Sequence, residues 1–198
     1  MTPLPAVLGG SGLVAWRLVR DKHLADWEAA EGAFRVGGRW SSAGRRVLYT
    51  SLDAATTILE IAVHGGFEVL DRLPHTLLAL DVDPAGVEVL WPAAIPNPSW
   101  LRLGAVSPAQ QAFGDALLDR HPVAVVPSVV STRSWNLLID APNARGRFAL
   151  KEREPFMLYP RLASSRSDAG SDRGPDGKTD AGISGTGSPR VRSGGPGW

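Results

Sequence analysis

A single-domain α+β fold is what the sequence predicts, on three observations. Short apolar runs of strand length (VAWRLV, VLYTS, TLLALDVD, VAVVPS, WNLLID) are separated by only three or so helical segments, without the regular strand-helix alternation of a doubly wound sheet. The chain has 198 residues, of which 43% are hydrophobic, enough for one sizeable core. Composition then changes abruptly after Leu162, where nine glycines and seven serines run on with no aromatic residue before Trp198. That segment carries too little apolar surface to offset its ordering entropy. The expected organisation is a folded body over residues 11–162 and a disordered Gly/Ser-rich tail over 163–198, with no internal repeat.

The elements follow in order. VAWRLV (14–19) reads as a strand carrying Arg17, HLADWEAAEGAF (23–34) as a brief helix, and Gly37-Gly38 as a turn that presents Arg39 and Trp40. VLYTS (47–51) is a strand with Tyr49 at its centre. Asp53 occupies the N-cap position of a helix over 54–64, and Gly65-Gly66 ends it. TLLALDVD (76–83) is a strand closed at Pro84, and a loop rich in proline and tryptophan runs from Trp91 to Trp100. Ser107-Pro108-Ala109-Gln110 has the form of a capping box with proline at the first helical position, opening a helix that ends near His121-Pro122. VAVVPS (123–128) and WNLLID (135–140) are strands, and EPFMLYPRL (154–162) is a final strand or extended segment.

Composition excludes several functions. Cysteine is absent, so disulfides and thiolate metal sites are excluded, and the four histidines show no ligand spacing; no metal site is expected. Lys+Arg number 21 against 20 Asp+Glu, scattered along the chain, which is not the footprint of a protein that grips a nucleic-acid backbone. The N-terminal LPAVLGGSGLVAW is short, glycine-broken and lacks a preceding basic region, so it reads as neither signal peptide nor membrane span. A soluble cytoplasmic protein is expected, without a membrane or direct nucleic-acid partner.

The helix over 54–64 raises the functional question. Ile58, Leu59, Ile61, Ala62 and Val63 make most of its surface apolar, yet Thr56, Glu60 and His64 recur at i, i+4, i+8 on one face. An ionised glutamate turned into a core without a partner costs several kcal/mol, so the stripe meets solvent, a positive partner or a ligand. Taken singly, each residue has an ordinary structural account. Glu60 serves as half of an ion pair, His64 suits the helix C-terminus, Tyr49 is a strand aromatic, and Ser128 satisfies a turn. Arg39 between glycines and Trp40 is better placed, because glycine permits close approach and arginine binds phosphate bidentately, although GGRW fits no established nucleotide fingerprint. Spacing and composition alone reach a soluble α+β domain with a polar cleft built from Arg39, Tyr49 and Glu60.

These residues also form a pattern. GGRW, Tyr49 ten residues after Arg39, Glu60 eleven later and His64 four later resemble the central motifs of the RES domain family, the toxin half of Xre–RES toxin–antitoxin systems. Ser128 within VVPSVV, Trp135-Asn136-Leu137-Leu138 as N-x-L-L, and Pro155-Phe156 with Pro160-Arg161-Leu162 extend the likeness over the whole body. Ser41 stands where one form of the motif has asparagine, Asp140-Ala141-Pro142-Asn143 replaces N-P-x-H-P, and Tyr159 takes the place of an aspartate. The resemblance implies an ADP-ribosyltransferase-like split β core flanked by helices and a toxin that consumes NAD+ as substrate, with no resident cofactor. It implies that Glu60 faces the nicotinamide ribose, that Arg39 and Arg17 bind the pyrophosphate, and that Tyr49 stacks on or orients the nicotinamide ring. It further implies that Ser128 binds the nicotinamide side or its ribose, and that Thr56 and His64 order Glu60. An Xre-type antitoxin is the implied partner, and a homodimer is left open. The acceptor of ADP-ribose stays open among water, phosphate and a protein side chain, and a non-catalytic nucleotide- or antitoxin-binding module is the alternative from another class.

Overall fold

Among the described residues the apolar runs pair, together with two strands outside those runs, into one sheet of seven strands. In a computed structural model, residues 12–102 and 106–158 are described. The strands are β1 (Leu13–Arg20), β2 (Val47–Ser51), β3 (His75–Val82), β4 (Glu88–Val89), β5 (Val123–Pro127), β6 (Trp135–Asp140) and β7 (Phe148–Phe156). The helices are α1 (Glu31–Val36), α2 (Ala54–Gly65), α3 (Phe67–Arg72) and α4 (Pro108–Arg120). Strand order is β4-β5-β6-β2-β1-β3-β7, antiparallel throughout except for the short parallel β4–β5 pair. The expected α+β class holds.

β1–β3–β7 pair along their length, with one register shift between Ala79 and Leu80, and β2–β6–β5 pair without interruption, but β1 and β2 meet in register only at Trp16 and Ser51. Beyond that point the sheet is split, and the Arg17 guanidinium, not a backbone amide, donates from β1 to the Tyr49 carbonyl of β2 at 2.8 Å. The split determines how the core divides. One face carries a single cluster that includes Leu13, Ala15, Leu48, Leu78, Leu80, Val125, Leu137 and Ile139. On the other face the core is in two pieces. One gathers Trp40, Val47, Leu138, Val126 and Trp100 around Leu117 and Leu118 of α4. The other gathers Leu18 and Leu77 beneath Ala62 and Leu70 of α2 and α3. Strand alternation places Ser51 on the face of Val47 and Tyr49, and its partners Trp16 and Asn136 beside it. A polar seam therefore runs across the sheet between the two apolar pieces.

Three local expectations are corrected. The segment 23–34 is not one helix: 3₁₀ turns at Asp21–His23 and Trp27–Ala29 precede α1, and Ala30 (φ 49°, ψ 35°) breaks the chain between them. Trp27 is the reason in packing terms, since it is drawn into the core edge-on to Phe148 with ring centroids 6.2 Å apart. The last strand runs from Phe148 to Phe156, earlier than the expected 154–162, because its ladder with β3 begins at Val82 and ends at His75. Phe148 and Phe156 at the ends of FALKEREPF pack against the core, and between them the side chains stay exposed at the sheet edge, where charge costs little. Finally, Ser107 accepts from Gln110 N at 3.2 Å as the capping box requires, but the reciprocal half is not made: both side-chain polar atoms of Gln110 are buried without a partner. Tyr159, Pro160, Arg161, Leu162 and the tail 163–198 lie outside the described residues. Among the described residues no helix is long and apolar enough to cross a membrane.

Candidate active site

The N-terminus of α2 is closed by Asp53, whose carboxylate accepts from Thr56 N at 2.7 Å and from the Thr56 hydroxyl at 2.6 Å. Thr57 then ties the helix to the sheet by donating to Trp16 O at 2.9 Å. This fixes the rotation of α2 and carries Glu60, one turn further on, over the polar seam. Thr56 shares the helical face of Glu60, but its hydroxyl serves the cap.

At the seam the Glu60 carboxylate meets three donors. Oε1 accepts from Asn136 Nδ2 at 2.6 Å and from Ser128 Oγ at 2.9 Å, while Oε2 lies 3.5 Å from His64 Nε2. Burial alone would raise the pKa of Glu60, yet hydrogen bonds from His64, Asn136 and Ser128 outweigh it and hold the carboxyl below its ordinary value. The group is thus an anion kept in a mostly enclosed place, with 18% of its side chain reaching solvent.

Ser128 follows Pro127 at the end of β5 and is fully buried. Its backbone N–H donates to Ser134 O at 3.1 Å, and its hydroxyl accepts from Val130 N at 3.2 Å while donating to Glu60. Asn136 is the member of the site that residue-type reasoning left without a role. The signal was present in N-x-L-L, but its meaning depends on the β2–β6 register, which sets Asn136 opposite Ser51.

The glycine turn forms the other wall. Gly38 bridges to Ser41 through N–H···O at 2.8 Å, and the Tyr49 hydroxyl accepts from Trp40 N at 3.1 Å and pairs with Ser41 Oγ at 3.0 Å. Burial pushes the Tyr49 phenol up to about 12, so it stays protonated. Gly37 (φ 71°) and Gly114 are required here: a Cβ on Gly114 of α4 would stand 2.2 Å from Trp40 O. Gln111 Nε2 donates to Gly38 O at 3.0 Å and completes the clamp. Arg39 is held outward from this turn, with Nη1 on Trp100 O at 2.7 Å and Nη2 on Arg102 O at 3.0 Å. Its desolvation lowers the pKa, and the Glu60 charge acts against that shift, so the two residues face one another electrostatically.

The structure therefore gathers Glu60, His64 and Ser128, with Arg39 within the field of Glu60 and Tyr49 supporting the Arg39 turn. Arg17 sits at the split instead. Alternation from Trp16 turns it away from the seam, its Nε is buried without a partner, and desolvation lowers its pKa to about 10. At the departure from N-P-x-H-P, Asp140 accepts from Arg45 Nε and Nη2 at 2.9 and 2.6 Å and from Asn143 Nδ2 at 3.2 Å, which closes the turn after β6. Among the described residues no group of three or more histidine or acidic side chains is arranged to hold a metal ion.

A split mixed sheet with an anionic carboxylate suspended over its seam defines the class: an α+β domain with a candidate active site between two halves of the core. Residues 14–159 match the RES domain family, and the chain belongs to that family. It is 27% identical over 154 residues to "Toxin Res" of Pseudomonas putida, a match that covers 76% of this chain and 99% of that protein. It is also 27% identical over 101 residues to "Toxin Res" of Photorhabdus laumondii, covering 47% of this chain and 64% of the relative. In fold it is similar to a chain in the crystal structure of the Mycobacterium tuberculosis MbcT-MbcA toxin–antitoxin complex, with a TM-score of 0.61 and 21% identity over 76% of this chain and 86% of that one.

Proposed function

We propose that the protein is an NAD+-consuming toxin of a bacterial toxin–antitoxin pair, with Glu60 as its catalytic carboxylate and an Xre-type antitoxin as its partner. Membership of the RES family and relatives named as toxins support the biological role. The observation that carries the chemistry is Glu60 itself, an ionised carboxylate whose Oε1 is saturated by two donors while Oε2 retains acceptor capacity.

Such a group suits cleavage of the nicotinamide N-glycosidic bond. As the C1′–N bond breaks, its electron pair moves onto the pyridinium nitrogen, which leaves as neutral nicotinamide and needs no strong general acid. Positive charge grows on C1′ and the ring oxygen, and a fixed anion beside the ribose stabilises it without reorganising. Water or phosphate then donates an oxygen lone pair to C1′, and the water proton is released to solvent. In this reading Arg39 meets the pyrophosphate, and Ser128 serves the nicotinamide-ribose side through its bond to Glu60 Oε1. Arg17, engaged with Tyr49 O, contributes by keeping the split open at a fixed width.

The test is to incubate the purified protein with NAD+ and measure free nicotinamide, beside Glu60→Gln. Release by the wild type and its loss in the variant are expected; a protein that binds NAD+ without releasing nicotinamide would be a binding module instead. ADP-ribose, ADP-ribose phosphate or a labelled protein among the products identifies the acceptor.

A further inference from the structure

We infer that Asn136 is a positioning residue for Glu60: held in one amide orientation between the Glu60 carboxylate and Ser51, it determines which carboxylate oxygen is left for the substrate. The inference rests on the reading of Glu60 as the carboxylate beside the reacting ribose.

The donors are divided unequally between the two carboxylate oxygens. Asn136 and Ser128 both bind Oε1, at 2.6 and 2.9 Å, whereas Oε2 has only His64 at 3.5 Å. An oxygen with two short donors has filled its lone-pair directions, so the open acceptor site belongs to Oε2. That division depends on the orientation of the Asn136 amide. If the amide were flipped, Oδ1 would face Oε1, setting a carbonyl oxygen against an anion.

That repulsion disfavours the flipped amide, and Ser51 completes the orientation that is kept. Its hydroxyl donates to Asn136 Oδ1 at 2.9 Å, leaving Nδ2 as the group that points at Glu60. Ser51 is 3% exposed, so water does not compete for the hydroxyl. The Ser51–Asn136 register of the β2–β6 ladder sets the distance, and the backbone of two paired strands thereby aims a helix-borne carboxylate. The other charged or titratable groups near the carboxylate are His64 from α2 and Arg39 from the glycine turn. His64 approaches Oε2, and the Nη atoms of Arg39 are engaged with loop carbonyls.

The experiment compares wild type, Asn136→Ala, Asn136→Asp and Ser51→Ala by two readouts. One is kcat and KM for NAD+ across pH. The other is the titration midpoint of the Glu60 carboxyl, followed by carbon NMR on ¹³C-glutamate-labelled protein and assigned with Glu60→Gln. Asn136→Ala should lower kcat about 10- to 100-fold with little change in KM, as loss of an orienting partner does. It should also raise the Glu60 midpoint. Asn136→Asp should raise the midpoint and the acid limb of the rate profile further, because a second carboxylate then faces Oε1. Ser51→Ala should move both readouts in the same direction by a smaller amount. Variants that fold normally and leave both the Glu60 midpoint and kcat at wild-type values would overturn the inference. If the wild type releases no nicotinamide, the proposed reaction fails, and the NMR titration still decides whether Asn136 governs Glu60.

Discussion

Ser128 Oγ donates to Glu60 Oε1 at 2.9 Å across 68 residues of sequence, and the same oxygen accepts from Asn136. A carboxylate so held is a favourable member of the folded protein as well as a candidate catalyst, and the two roles separate on substitution. Glu60→Gln keeps an oxygen for Ser128 and Asn136 but removes the charge. Turnover of NAD+ should fall by about 10²–10³, the usual cost of one preorganised electrostatic contact. The stability loss should be modest, about 1 kcal/mol, because hydrogen bonds to a charged acceptor become hydrogen bonds to a neutral one. Thermal melting beside nicotinamide release checks both, and a stable variant with near wild-type turnover would remove Glu60 from the chemistry.

The depressed pKa of Glu60 fixes the sign of a pH effect. The folded-state value lies below the ordinary 4.5, so the unfolded chain binds the proton more readily. The stabilisation is present in full above that ordinary value and is lost as pH falls through the folded-state value. Wild-type stability should drop more steeply than that of Glu60→Gln below pH 4.5, and the two curves should run parallel near neutrality. Chemical denaturation at a series of acidic pH values measures the difference.

Much of the scaffold for this site was legible in the sequence. Asp53 at the N-cap, and the glycines after His64, announce α2 because caps and stops are local chemistry. The apolar strands were legible for the same reason. The 3₁₀ breaks before α1 follow from burying Trp27, a tertiary demand that overrides helix propensity. α3 was not foreseen, since Gly66 (φ 83°) ends one helix by a turn that immediately starts another. Glu60 stood out as a polar residue on an apolar helix, whereas Asn136 is 76 residues away and gains meaning only from strand register. For Arg17 the resemblance implied pyrophosphate binding, whereas the bond from its guanidinium to Tyr49 O arises from the split in the sheet, which no local pattern shows.

Tyr49 offers a choice between stacking on a substrate ring and supporting the Arg39 turn. Its hydroxyl bonds Trp40 N and Ser41 Oγ, so Tyr49→Phe leaves a part-buried N–H unpartnered and should cost about 1–3 kcal/mol. KM for NAD+ should rise as Arg39 loses its fixed position. A phenylalanine that stacks equally well would instead leave both stability and KM unchanged. Melting temperature and steady-state kinetics distinguish the outcomes.

The same turn can be displaced from its other side without touching a polar group. Gly114 lies on α4 where a Cβ would come within 2.2 Å of Trp40 O, 2.6 Å of its carbonyl carbon and 2.7 Å of its Cα. Backbone cannot yield as a flexible side chain does, so Gly114→Ala forces α4 and the GGRW turn apart despite the higher helix propensity of alanine. Propensity alone would stabilise by about 1 kcal/mol, and overpacking costs about 1–3 kcal/mol, so the clash should win. Moving Trp40 also moves Arg39, whose bonds to Trp100 O and Arg102 O join the turn to the loop between β4 and α4. Gly114→Ala should therefore lower the melting temperature and raise KM for NAD+, while kcat at saturation falls less because Glu60, Asn136 and Ser128 belong to other elements. An alanine variant as stable as wild type would show that α4 and the turn are not in the close contact that the positioning of Arg39 requires.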